Sequence, residues 1–238
     1  MAKPYAVVSC HVERPLDNAV WERFSALQRR RPGGFAIAAL MRPPDAGSGE
    51  DERAAVWVER ARAAAAQGPF GLHTHWTAPD HARPTGGDPP QRVRDDIGWV
   101  RAQGLEPRLF CGGGWYLTPA VAAVLAEQGL ADCTGTRFRP PYLDAGAPRL
   151  GASEPMTLDT SAGPLVELPA THSIGMLARA LLRPLPGPHV HVYFHDTDLL
   201  DRRRALALEW GLRALRLRRP PARLDELSAP ETSRFAYT

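Results

Sequence analysis

Apolar residues follow two alternating rhythms along the chain. Short apolar runs at 5–10, 35–40, 69–72, 107–111, 130–134, 163–168 and 190–194 read as buried strands. Between them lie longer stretches with apolar residues three and four apart. These predict helices over 17–29, 51–67, 88–103, 120–128, 174–182 and 201–218. Boundary residues support the reading. Asp17 and Asp88 stand at N-cap positions, Pro89 and Pro119 open helices, and Gly68, Gly104 and Gly129 end them. In the last helix, Leu206, Trp210 and Leu217, together with Leu208, Leu212 and Leu215, are assigned to the apolar side. Its arginines form a solvated basic face. The stretches 77–90 and 135–155 are rich in Pro, Gly and polar residues and predict no regular element.

About seven strand-then-helix units in succession imply parallel strands joined by crossovers. With no internal repeat and no linker, the expected architecture is one α/β domain over 1–238, an irregular (β/α)-barrel. Polar residues then fall into order. His11 and Glu13 follow the first strand, His73 and His75 the third, and Gly112–Trp115 the fourth. Arg137 and Arg139 follow the fifth, His172 the sixth, and His195 with Asp196 the seventh. All sit at C-terminal strand ends, where such folds place their active sites.

Composition narrows the possibilities. A net charge of +3 is too small to argue for nucleic acid. The three cysteines have no CxxC spacing, which favours free thiols in a reducing compartment. No secretory signal precedes the first strand and no apolar run is long enough to span a bilayer, so a cytoplasmic location is expected.

His73 and His75, two residues apart on an extended backbone, point to the same side and offer paired nitrogen donors to a zinc-type ion. His11, Glu13, His73, the segment Arg137–Tyr142 and His195–Asp196 occur in an order that resembles the NodB-homology polysaccharide deacetylases, carbohydrate esterase family 4. The resemblance implies a metal-dependent hydrolase on an irregular (β/α)-barrel that removes acetyl groups from N-acetyl sugars. His11 then stands at the position of the catalytic base and Glu13 at that of a metal ligand, although His11 is equally suited to be a third imidazole ligand. His73 matches the first histidine of the second motif. The second motif histidine is replaced by Thr77, which passes its role to His75 or, as the lesser alternative, His81. Arg139 and Tyr142 match the groove motif, and His195, followed by Asp196, matches the proton donor to the leaving amine. Trp115 and Tyr116 would floor the sugar site.

The implied cofactor is one divalent ion, zinc by its donor set. The implied partner is a soluble or lipid-linked carbohydrate. Two other readings stand beside this one. His73-Thr74-His75 also resembles the His-x-His of amidohydrolases and PHP-type phosphoesterases. With His11 and Thr77 in place of the family's Asp and His, a catalytically degenerate barrel that binds a glycan or partner is the third.

Overall fold

The computed structural model describes residues 3–141, 143–144, 146–185, 187–229 and 233–237. Its strands are β1 (Tyr5–Val12), β2 (Ile37–Met41), β3 (Phe70–Thr74), β4 (Leu109–Gly112), β5 (Ala131–Asp132), β6 (Met156–Thr160), β7 (Gly163–Glu167), β8 (His189–His195) and β9 (Arg234–Ala236). The helices are α1 (Asn18–Arg30), α2 (Ala54–Gln67), α3 (Pro89–Ala102), α4 (Pro119–Glu127), α5 (Ile174–Ala180) and α6 (Arg202–Arg216). All but α2 begin where a side chain satisfies a free N–H group of the first turn. Asp17 accepts from Val20 N, Asp88 from Gln91 N, Thr118 from Val121 N and Asp201 from Arg203 N.

All strands join one sheet in the order β8-β1-β2-β3-β4-β5-β7-β6-β9. The pairings from β8 through β7 are parallel, while β6 pairs antiparallel with β7. The fold is therefore α/β with a large, mostly parallel sheet. The predicted barrel is not closed as a ladder: β8 and β7 are separate ends of the parallel run. Beyond β7, Pro169 has no N–H to donate, which interrupts strand pairing. The chain then reaches β8 through the isolated bridge His172↔Val192, where Thr171 and His172 N–H donate to the His191 carbonyl at 2.9 and 3.0 Å.

Alternation along the strands separates two apolar clusters. Val8, Cys10, Ile37, Ala39, Leu72 and Phe110 pack with Phe24, Trp57, Ile97, Val121 and Leu212 of the helices. On the other face, Val7, Ala38, Leu40, Leu109, Cys111, Cys133 and Leu168 form a smaller cluster. His11, in step with Val7 and Ser9, and His73, in step with Gly71, belong to this second face. Gly71 is required there, because a Cβ would stand 2.3 Å from the Leu109 carbonyl oxygen.

Two expectations need correction, and one strand is additional to those predicted: β6, which follows the stretch 135–155, folds back on β7 and carries β9 along its other edge. The fifth strand shortens to two residues. On α6, Leu208, Leu212 and Leu215 are buried, whereas Leu206, Trp210 and Leu217 are exposed. At about 100° per residue the two sets lie on opposite sides of the helix, and only one faces the sheet. Among the described residues no helix is long and apolar enough to cross a membrane.

Candidate metal centre and cavity

The C-terminal ends of β1, β3, β4 and β8 surround a cavity of about 600 Å³ lined by His11, Glu13, His73, Trp115, Arg139 and His195, among others. Three imidazoles converge on Glu13 Oε1. His73 Nε2 lies 3.6 Å from this oxygen, His75 Nε2 3.4 Å and His195 Nε2 3.5 Å. The Nε2 atoms of His73 and His75 are 3.3 Å apart. His73 Nδ1 lies 3.0 Å from the Cys111 carbonyl, and His75 Nδ1 lies 2.6 Å from that of Pro79. A carbonyl only accepts, so each Nδ1 donates its N–H there and each Nε2 is turned toward Glu13. Burial pushes His73 down to about 4, which keeps it neutral at neutral pH. Burial by itself would raise the Glu13 carboxyl, but the facing His73, His75 and His195 outweigh it and hold Glu13 well below the ordinary carboxylate range.

Three buried or half-buried ligand atoms thus converge on one point, where a cation can stand in place of the protons they would otherwise share. Bonds of about 2.0–2.2 Å at tetrahedral angles separate neighbouring donors by about 3.4 Å, close to the spacing found here. The backbone carbonyls that orient each Nδ1–H are the usual outer support of imidazole ligands. The residues present fit a zinc-type ion. A second group of potential donors, His11, His73 and Cys111, also lies together, with His11 Nε2 3.5 Å from Cys111 Sγ. Burial raises the Cys111 thiol well above its ordinary value, which disfavours the thiolate a metal needs.

With this geometry in hand, known proteins give a limited comparison. No family model matches the sequence, and no curated protein matches it either. Among solved structures, 4-alpha-glucanotransferase from Thermococcus litoralis is similar at a TM-score of 0.55 and 10% identity. The match covers 95% of this chain but 38% of that protein. The catalytic domain of peptidoglycan N-acetylglucosamine deacetylase from Eubacterium rectale aligns at a TM-score of 0.49 and 10% identity, over 100% of this chain and 94% of that one. The likeness is one of fold alone.

The residues singled out from sequence fall into three groups. Glu13, His73, His75 and His195 come together, and His11 stands beside them. The His11 ring stacks on His73, with centroids 4.5 Å apart, and on Tyr193 at 5.4 Å. Burial, with His73 and His195 alongside, pushes His11 well below its ordinary value. Trp115 and Arg139 also line the cavity. Trp115 adopts φ 60°, a left-handed conformation costly for a bulky side chain, and wedges its ring edge-on against Tyr193 at 4.9 Å. Arg139 donates through Nε and Nη2 to the Leu143 carbonyl.

Two residues point elsewhere. Tyr116 does not line the cavity; the turn at Gly114 and Trp115 sends its ring to Trp76, with Arg83 above it at 5.4 Å. Asp196 is fully buried and accepts from Arg14 N and Thr197 N, so it ties the β1 exit loop to the end of β8. Burial, ahead of these contacts, raises it to about 6. Tyr142 lies outside the described residues.

Sequence reasoning passed over Tyr193, which stacks on His11 and lines the cavity. Its signal was available: it shares strand parity with His191 and His195. Asp198 is the other close neighbour. It accepts from His195 N at 3.0 Å and lies 3.9 Å from His195 Nδ1. Thr77 turns away and bonds to Arg83 O and Thr85.

Proposed function

We propose that this chain is a metal-dependent hydrolase that removes an acetyl or other acyl group from an N-acylated sugar, soluble or lipid-linked. The observation that carries the reading is the convergence of His73 Nε2 and His75 Nε2 on Glu13 Oε1, with Glu13 and His73 lining a cavity that has an aromatic wall. Glu13, His73 and His75 would hold the ion, with zinc favoured by the nitrogen and oxygen donor set. When bound, such an ion supplies Lewis acidity toward an amide carbonyl and a water.

The chain's own residues supply the rest. His195, half-exposed at the cavity, is positioned to give a proton to the departing nitrogen, and Asp198 fixes its backbone. Neutral His11 is free to receive a proton, which makes it the candidate base. Arg139 keeps Nη1 uncommitted by the Leu143 contacts and is the candidate stabiliser of a developing oxyanion. Trp115 offers a sugar its ring, and burial excludes water from the deep end of the site. Glycosyl transfer by paired carboxylates suits the site less well. Apart from Glu13, the acidic residue lining the cavity is Asp80, which is exposed and occupied with His81.

The test is acetate release from N-acetylhexosamine compounds by purified protein with and without added zinc. Metal-stimulated release that is lost in Glu13→Gln and His75→Ala supports the reading. Sugar affinity with no release in any metal would instead favour the binding-only barrel.

A further inference from the structure

A second cavity, of about 630 Å³, opens against α5 and the turn that follows it. It shares no lining residue with the cavity around Glu13. Arg137, Arg179 and Arg183 surround it, Met176 and Leu182 give it apolar walls, and His172 lines it from within the fold. None of the three arginines forms an ion pair among the described residues; Arg137 Nε donates to Thr171 O and Arg179 Nε to Gly175 O. Arg218 braces this wall by donating to the carbonyls of Leu181 and Arg183 at 3.0 and 2.7 Å. Three uncompensated guanidiniums around one concavity make a strongly positive site.

His172 adds a second requirement. It is 1% exposed, and its Nε2 has no hydrogen-bond partner. Its Nδ1 pairs with the Thr171 hydroxyl at 2.8 Å, which leaves Nε2 as the ring atom without a partner. Burial, aided by Arg137, lowers His172 to about 4, consistent with a neutral ring. A buried polar atom left unpaired is costly, and a hydrogen-bonding group from a ligand removes that cost.

We infer that this cavity binds a phosphorylated polyol, its phosphate held by Arg137, Arg179 and Arg183 and a hydroxyl paired with His172 Nε2. Guanidinium forks match phosphate oxygens in geometry and charge. A bare phosphate dianion satisfies the arginines but leaves most of a cavity of about 630 Å³ unfilled. A neutral sugar offers the hydroxyl but leaves the arginines unpaired. Soluble sugar phosphates and phosphoinositide headgroups share the required chemistry. The inference is independent of the reaction at Glu13.

Isothermal titration with glucose 6-phosphate, glucose and inorganic phosphate tests it, alongside co-sedimentation with phosphatidylcholine vesicles carrying phosphatidylinositol 4-phosphate. The variant is Arg179→Gln/Arg183→Gln, whose side chains are exposed, with circular dichroism as the folding control. The expected result is that glucose 6-phosphate binds at least about tenfold tighter than inorganic phosphate or glucose, and that the double variant loses about tenfold or more. Retention on the phosphoinositide vesicles alone, lost in the variant, assigns the site to a lipid headgroup and supports the same chemistry. Equal affinity for inorganic phosphate and glucose 6-phosphate overturns the inference, as does binding that the double variant leaves unchanged or no binding at millimolar concentration.

Discussion

Thr74 separates His73 from His75, and its hydroxyl donates to Asp96 Oδ2 at 2.8 Å. Arg92 Nε donates to the other carboxylate oxygen at 3.0 Å. Asp96 on α3 is thus the strut that holds the end of β3 in place. Burial pushes its carboxyl up to about 6 from the ordinary 3.8, against the opposing pull of Arg92 and Thr74. The folded chain therefore holds this proton more tightly than the unfolded chain. Asp96 contributes its full stability below about pH 4 and loses it as pH rises through about 6. The gap converts to on the order of 3 kcal/mol. Asp96→Asn keeps an acceptor for Thr74 and removes the ionisation. Urea unfolding followed at several pH values should then show the variant gaining on the wild type by up to about 3 kcal/mol across that window and staying level on either side. A flat difference curve, or one in which the wild type gains with rising pH, would refute the assignment of Asp96 as a buried, proton-retaining strut.

Other outcomes follow from the same structure. Zinc at about a hundred times its Kd adds about 2.7 kcal/mol; for 238 residues that raises Tm by about 5 °C. Thermal scans should show this shift in wild type and lose it in Glu13→Gln. Asp132 and Glu167, fully buried, face each other in register between β5 and β7, and burial raises both carboxyls, Glu167 further by the charge of Asp132. Wild-type stability should fall as pH rises through these elevated values, and Glu167→Gln should lessen that loss, read as a urea midpoint that declines less with rising pH than the wild type's. On α6, Leu208→Ala should cost about 2–5 kcal/mol and Leu206→Ala within about 0.5, measured by chemical denaturation. Equal costs would contradict the orientation of the helix.

Much of this fold is legible in sequence because its determinants are local. Asp17, Asp88-Pro89, Thr118-Pro119 and Asp201 each mark a helix start with a contact a few residues away. The continuous apolar run at β1 identifies a strand buried on both faces. Elements that depend on distant partners are not legible. Met156–Thr160 has one buried residue, and its pairing is set by β7 and β9 rather than by its own pattern. On α6 both apolar sets satisfy helical spacing, so periodicity alone does not choose between them; packing against the sheet does.

The candidate site divides the same way. Residues on strands, such as His11, His73 and His195, inherit their direction from alternation, and their convergence follows from strand order. Residues on turns do not. Tyr116 is redirected by the left-handed backbone at Gly114 and Trp115, and Asp196 is captured by the N–H groups of Arg14 and Thr197. The contacts of both are set by the local backbone, which strand alternation does not specify.

Zinc K-edge absorption on protein loaded with one equivalent of zinc tests the central claim most directly. The account predicts a first shell of two imidazole nitrogens and a carboxylate oxygen at about 2.0–2.2 Å, reduced by one imidazole in His75→Ala. A sulfur shell at about 2.3 Å would place the ion on Cys111 instead and contradict the account, as would a spectrum that His75→Ala leaves unchanged.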